Sequence, residues 1–115
     1  MVTPAERQVL RRQSEICKTL ANPKRLEILH ELRDCEKKVG ELCLATGLRQ
    51  ATVSQHLAIM RHRKMVTERR AGNTVLYRIA DKRINKACDI MREVLMRQAS
   101  EDSKFVQLVS ASGRS

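Results

Sequence analysis

Along the first sixty residues the apolar positions recur at helical intervals, and each recurrence opens on a start signal. Thr3-Pro4-Ala5-Glu6 reads as a capping box with proline at the first helical position. The helix it starts should reach about Leu20, with Val9, Leu10, Ile16, Cys17 and Leu20 on its apolar face. Asn22-Pro23 repeats the signal, and Leu26, Ile28, Leu29 and Leu32 predict a broad buried stripe that the polar run Arg33 to Lys38 closes. A short third helix from about Val39 to Thr46 should end at Gly47, a residue suited to the position just past a helix. The next helix follows after only Gly47-Leu48-Arg49, and so short a joint forces the pair into a helix-turn-helix. That fourth helix buries Val53, Leu57 and Met60 and presents Gln50, Thr52, Ser54 and Gln55.

After Lys64 the period changes from helical to alternating. Val66 and Thr67 lead into Glu68-Arg69-Arg70, Ala71-Gly72-Asn73-Thr74 makes the turn, and Val75, Tyr77 and Ile79 alternate with Leu76 and Arg78 on the return strand. Asp81 then caps a last helix in which Ile84, Cys88, Met91 and Leu95 form one stripe. A single apolar stripe on the end helix of a small domain predicts pairing with a second copy. The expected fold is mainly α with a two-stranded β wing, a winged helix-turn-helix in the order α-α-α-α-β-β-α. It spans residues 1–97 with a helix at each end for dimerisation. Residues 98–115 are Ser-rich and read as a disordered tail. Within it, Phe105-Val106-Gln107-Leu108-Val109 has the pattern to dock as a short helix or strand.

Composition adds a partner to this outline. A chain of 115 residues with 42% hydrophobic content has material for one core, and that core must be aliphatic because Tyr77 and Phe105 are the aromatic residues. No apolar run approaches the roughly 18 to 20 residues that span a bilayer, and the polar N-terminus lacks a signal-peptide core, which predicts a soluble, cytoplasmic protein without a membrane partner. The formal charge of +10 favours a polyanion. Its distribution says more: Arg49 to Lys86 carries ten basic residues and two acidic ones, so the charge surrounds the fourth helix. No Gly-rich phosphate loop, His-Glu-x-x-His or carboxylate constellation is present, so an enzyme is not expected. A nonspecific architectural or RNA-binding protein is the alternative that charge alone would serve. RNA modules, however, stack bases on aromatic side chains, which this chain nearly lacks.

The candidate DNA-binding residues follow from placement. Gln50, Thr52, Ser54 and Gln55 lie at the start of the fourth helix, where base edges are reached, and a glutamine can pair bidentately with adenine. Thr52 and Ser54 would otherwise bond to nearby backbone or face solvent. His56 falls near the buried edge, which suits packing or a phosphate contact as well as base readout, and Arg49 offers a phosphate contact at the helix start. Arg69, Arg70 and Asn73 of the wing are placed to reach phosphate or the minor groove, the alternative being a solvated charged hairpin.

The segments Leu20-Ala21-Asn22-Pro23-Lys24-Arg25-Leu26, Val39-Gly40-Glu41-Leu42 and Val53-Ser54-Gln55-His56-Leu57, at their mutual spacing, resemble the ArsR/SmtB family of winged-helix repressors. The resemblance covers about Ser14 to Leu95. It implies a homodimer built from the first and last helices, bound to an inverted-repeat operator in double-stranded DNA and released by an inducer. Arg49 departs from the small hydroxyl residue usual in the family at that cap. The family's known inducer sites also fail to transfer. With Ser54 as anchor, its two cysteine metal ligands fall on Lys38 and Gly40, and the ligands of its last-helix zinc site fall on Asp81, Arg83, Val94 and Arg97. The cysteine pair of persulfide-sensing members falls on His30 and Met96. No metal site and no cofactor are therefore assigned. The effector candidates are the thiols Cys17, Cys35, Cys43 and Cys88, through redox, reactive sulfur or a soft metal or metalloid. For Cys17 and Cys88 the competing explanation is that each is a small apolar core residue.

Overall fold

The computed structural model describes residues 1–101 and 103–112. In chain order these form α1 (Pro4–Leu20), α2 (Pro23–Glu31), α3 (Val39–Thr46), α4 (Gln50–His62), β1 (Val66–Ala71), β2 (Thr74–Ile79), α5 (Arg83–Gln98), a 3₁₀ turn (Ala99–Glu101) and α6 (Ser103–Ser112). Contacts divide the chain into two units, Met1–Lys82 and Arg83–Ser115.

Helices start where side chains take up backbone N–H groups. Thr3 Oγ1 accepts from the Glu6 N–H at 3.1 Å, and Glu6 reciprocates on the Thr3 N–H, completing the capping box. Asn22 Oδ1 accepts from both Lys24 and Arg25 at the head of α2, at 2.9 and 3.1 Å. At α3, Glu41 accepts from the Lys38 N–H at 2.9 Å. Gly47 ends α3 with φ of 73°, a left-handed conformation that costs glycine nothing. The turn into α4 is fixed by Thr46, whose hydroxyl donates to the Leu42 carbonyl at 2.7 Å and accepts from the Leu48 N–H at 3.3 Å.

These caps aim one face of each short helix at a common centre. Ile28, Leu29 and Leu32 come from α2 and its C-cap, Leu42 from α3, Val53, Leu57 and Met60 from α4, and Met65 and Val66 from the start of the wing. All are buried and none is aromatic, as the composition required. Leu26, expected in the stripe, is instead 42% exposed. It precedes Ile28 by two residues, about 200° around a helix, so it cannot share the face that Ile28, Leu29 and Leu32 bury. On α1, Val9, Leu10 and Ile16 face outward, and Cys17 is exposed with them.

The close of α4 is a Schellman motif built on a lysine. The Met65 N–H bonds to the Met60 carbonyl at 2.8 Å, the Lys64 N–H bonds to that of Arg61 at 2.9 Å, and Lys64 takes φ of 62°. Both members of the apolar pair that accompanies the motif, Met60 and Met65, are buried. The chain thereby reverses into β1, which pairs antiparallel with β2 from Val66↔Ile79 to Ala71↔Thr74. Gly72 and Asn73 form the two-residue loop, with positive φ at Gly72 alone, the pattern of a II′ turn. A third strand-like residue joins this hairpin: Lys37 and Tyr77 exchange backbone hydrogen bonds of 2.9 and 2.8 Å.

In the second unit α5 begins at Arg83, two residues after Asp81, the residue expected to cap it. Ile84 and Cys88 are half-buried, whereas Met91 and Leu95 are exposed together with Ile90 and Val94. The stretch expected to be a disordered tail carries the 3₁₀ turn and α6, whose Phe105, Leu108 and Val109 recur at helical spacing. The final Gly-Arg-Ser of that stretch lies outside the described residues. No helix among the described residues is long and apolar enough to cross a membrane.

Candidate nucleic-acid interface

The burial pattern of α4 divides it lengthwise. Val53, Leu57 and Met60 anchor it, Thr52, His56 and Ile59 are half-buried along one flank, and Gln50, Ala51, Ser54, Gln55 and Ala58 are exposed. The exposed set follows the i, i+1, i+4, i+5, i+8 spacing of one helical face. Gln50, Ser54 and Gln55 therefore stand together, whereas Thr52 lies on the flank. Ala51 and Ala58 share the outer face and carry no polar signal in the sequence; a methyl group there can meet a thymine methyl.

The start of α4 is electropositive for two reasons. Arg49 occupies the N-cap in extended conformation and makes no side-chain cap, so first-turn N–H groups remain available to an anion. The positive end of the helix dipole adds to the Arg49 charge.

His56 is held from a second helix. Arg25 of α2 donates through Nε to His56 Nδ1 at 3.1 Å and through Nη1 to the Thr19 carbonyl at 3.4 Å. A ring nitrogen that accepts carries no proton, so the imidazole is neutral and its N–H sits at Nε2. Burial, and next the Arg25 charge, push the His56 pKa below its ordinary value of 6.5. Any contact from His56 to DNA thus comes from an N–H dipole rather than a cation. Arg25 was missed because its role depends on a contact between residues 31 apart in sequence.

Beside α4 the wing separates its two arginines. Successive strand residues point to opposite faces, so Arg69 and Arg70 cannot act as one pair. Arg70 is exposed and meets no acid among the described residues. Arg69 is engaged: its Nε lies 3.1 and 2.9 Å from the two carboxylate oxygens of Glu36, and its Nη2 also donates to Glu36. This fork holds the Glu36 carboxyl below the usual carboxylate range. Asn73 is exposed at the tip. Other charges in the basic stretch are also matched, Arg61 with Glu68 at 3.5 Å and Arg63 with Glu15 of α1 at 2.7 Å. Burial, with a hydrogen bond to Glu68, raises the Tyr77 phenol above its ordinary value, so it stays protonated at neutral pH.

Among the described residues none of the four thiols is in a disulfide; Cys17 and Cys35 are exposed and Cys43 and Cys88 half-buried. Among the described residues no three His, Cys, Asp or Glu side chains are grouped so as to hold a metal ion.

A tri-helical core whose last helix offers a polar face and an uncapped N-terminus, flanked by a basic hairpin, defines a winged helix-turn-helix DNA-binding protein. Residues 22–67 match the profile of the bacterial regulatory proteins of the arsR family. The HTH-type transcriptional regulator Rv0081 of Mycobacterium tuberculosis is 35% identical over 102 residues, 88% of this chain and 90% of its own. Its crystal structure superposes with a TM-score of 0.76, covering 83% of this chain and 96% of that one. The transcriptional repressor SmtB of the same species is 41% identical over 78 residues, 68% of this chain and 58% of its own. The solution structure of the homodimeric winged helix-turn-helix DNA-binding domain of Mb0332 from Mycobacterium bovis gives a TM-score of 0.77 at 27% identity, over 86% of this chain and 92% of that one. The chain belongs to the ArsR family and is a transcriptional regulator of that type, among relatives that are regulators rather than enzymes.

Proposed function

We propose that this protein is a homodimeric, sequence-specific repressor that binds an inverted-repeat operator and leaves it when an inducer acts on its thiols. The observation that carries the reading is the lengthwise division of α4: three side chains fixed in the core hold Gln50, Ser54 and Gln55 outward on a rigid helix. Rigid placement is what base readout needs, because bidentate pairing tolerates little displacement. Gln55 and Gln50 are the base-reading residues, Ser54 and Thr52 support them, and Arg49, Arg70 and Asn73 meet phosphate or the minor groove.

A second copy is the partner that the apolar surface fits. Val9, Leu10 and Ile16 on α1 and Ile90, Met91, Val94 and Leu95 on α5 are all more than 40% exposed, more apolar surface than a small monomer usually leaves in water. The described homodimer of Mb0332 supports the same assembly. In a two-fold dimer the α4 helices enter successive major grooves about 34 Å apart, which demands a palindrome. The repressor sign follows SmtB by likeness. For the inducer, Cys35 is the accessible candidate in the dimer, ahead of half-buried Cys43 and Cys88; Cys17 is exposed in the single chain but lies on the α1 face that the second copy covers.

The test is selection from a random-sequence duplex library with the wild-type chain. The expected product is an inverted repeat, held by a species of twice the chain mass about a thousandfold or more over random duplex. Enrichment of no sequence would overturn the reading in favour of nonspecific binding. Treatment of the complex with a disulfide-forming oxidant, polysulfide, arsenite, cadmium or zinc, with intact mass recorded, tests the thiols; unchanged affinity under every treatment would remove them.

A further inference from the structure

Glu36 is an acid set against the basic wing, where it meets Arg69. It precedes Lys37, whose backbone is tied in both directions to Tyr77 of β2, at 2.9 and 2.8 Å. The ammonium group of Lys37 is in turn bound to Glu31 of α2 at 3.0 Å. Glu36 is therefore carried on a segment docked against the outer edge of the hairpin, and from there its carboxylate reaches over β2 to Arg69 on β1. Arg78, on the intervening strand, donates to Thr67 at 3.3 Å on the same face.

The fork uses one edge of the guanidinium. Of five N–H groups, the carboxylate engages Nε–H and one on Nη2, which leaves the two on Nη1 and the second on Nη2. Arg69 is 56% exposed while Glu36 is 29% exposed, so the carboxylate is the more sheltered partner and the guanidinium keeps an open side. A free arginine would lose much rotamer entropy on meeting phosphate; one already clamped has lost it beforehand.

We propose that Glu36 is a positioning residue, which clamps Arg69 by its Nε edge so that the remaining edge of the guanidinium meets a DNA phosphate at the wing. The inference rests on the DNA-interface reading above. Its signature differs from that of a simple charge. The pair is close to neutral, so it contributes alignment more than attraction, and alignment matters to the operator complex but little to loose binding on random DNA.

The experiment is a double-mutant cycle read by fluorescence anisotropy, using the duplex selected by the wild-type protein and a random duplex of equal length. Glu36→Ala should bind random duplex at least as tightly as wild type, since an acid is gone, while the selected-to-random ratio falls about threefold to tenfold. Arg69→Ala should lower the ratio similarly, and adding Glu36→Ala to it should change the ratio no further. Glu36→Gln, which keeps one acceptor, should restore part of the loss at an unchanged melting temperature. An unchanged ratio in Glu36→Ala, or an equal fall on the Arg69→Ala background, would overturn the proposal. Gln55→Ala and Arg70→Ala serve as controls: if both leave binding untouched the interface reading itself fails, and the positioning role with it.

Discussion

Helix α4 and the wing are neighbours on one surface, yet they are built by different rules. In α4 every assignment follows from local periodicity: Val53, Leu57 and Met60 lie inside, so Gln50, Ser54 and Gln55 lie outside. In the wing the local pattern puts Arg69 and Arg70 side by side, and a carboxylate 33 residues earlier decides that they differ. Helical amphipathicity is a short-range property and survives in the chain as text. Ion pairing between distant segments leaves no such trace, because any of thirteen acids is formally available to any of twenty-three bases.

That difference can be tested by perturbing each region. Removing the inner support of α4 with Leu57→Ala should have the largest effect, a loss of about 2–5 kcal/mol of stability from its fully buried site, measured by urea denaturation. A loss under about 1 kcal/mol would mean that the helix is not anchored through this face. On the wing, Arg70→Ala should weaken binding to all duplexes alike and flatten the slope of log affinity against log salt by about 1. A changed sequence preference would instead make Arg70 a reader.

Where the two regions join, Lys64→Gly should stabilise the fold by about 0.5–1 kcal/mol, since glycine occupies the left-handed position of the Schellman motif without the Cβ penalty. No gain in melting temperature would show that Lys64 compensates through its side chain. The smallest effect concerns pH. His56 has a folded pKa below the unfolded value of 6.5, so the unfolded state binds the proton more readily. Its contribution is complete above pH 6.5 and is lost as pH falls through the folded pKa. Wild type should therefore lose more stability between pH 7.5 and 5.5 than His56→Gln does, and parallel losses would contradict a neutral His56 held by burial and, next, by the Arg25 charge.

Much of the molecule is legible in its sequence. The capping pairs at Thr3 and Asn22, the glycine after α3 and the alternation after Lys64 each announce an element through its own residues. The polar face of α4 was legible in the same way, apart from Thr52, which the actual helix phase carries to the flank, and the two alanines, which carry no polar signal. Three features were not: Leu26 outside the core, Arg25 on His56 and Glu36 on Arg69. The last two are tertiary contacts. Leu26 falls outside because a count of apolar residues ignores their angle around the helix, whereas the short helix or strand expected at Phe105 to Val109 lies within α6.

The central claim is that α4 supplies sequence discrimination while the wing supplies attraction and alignment, and Gln55 is where it is most exposed to test. Affinity of Gln55→Ala for the selected duplex and for random duplex, measured side by side at one salt concentration, should show the ratio falling by about 5- to 150-fold, the equivalent of one lost bidentate base contact, with random-duplex affinity unchanged. Equal losses on both duplexes, with the ratio preserved, would contradict the account.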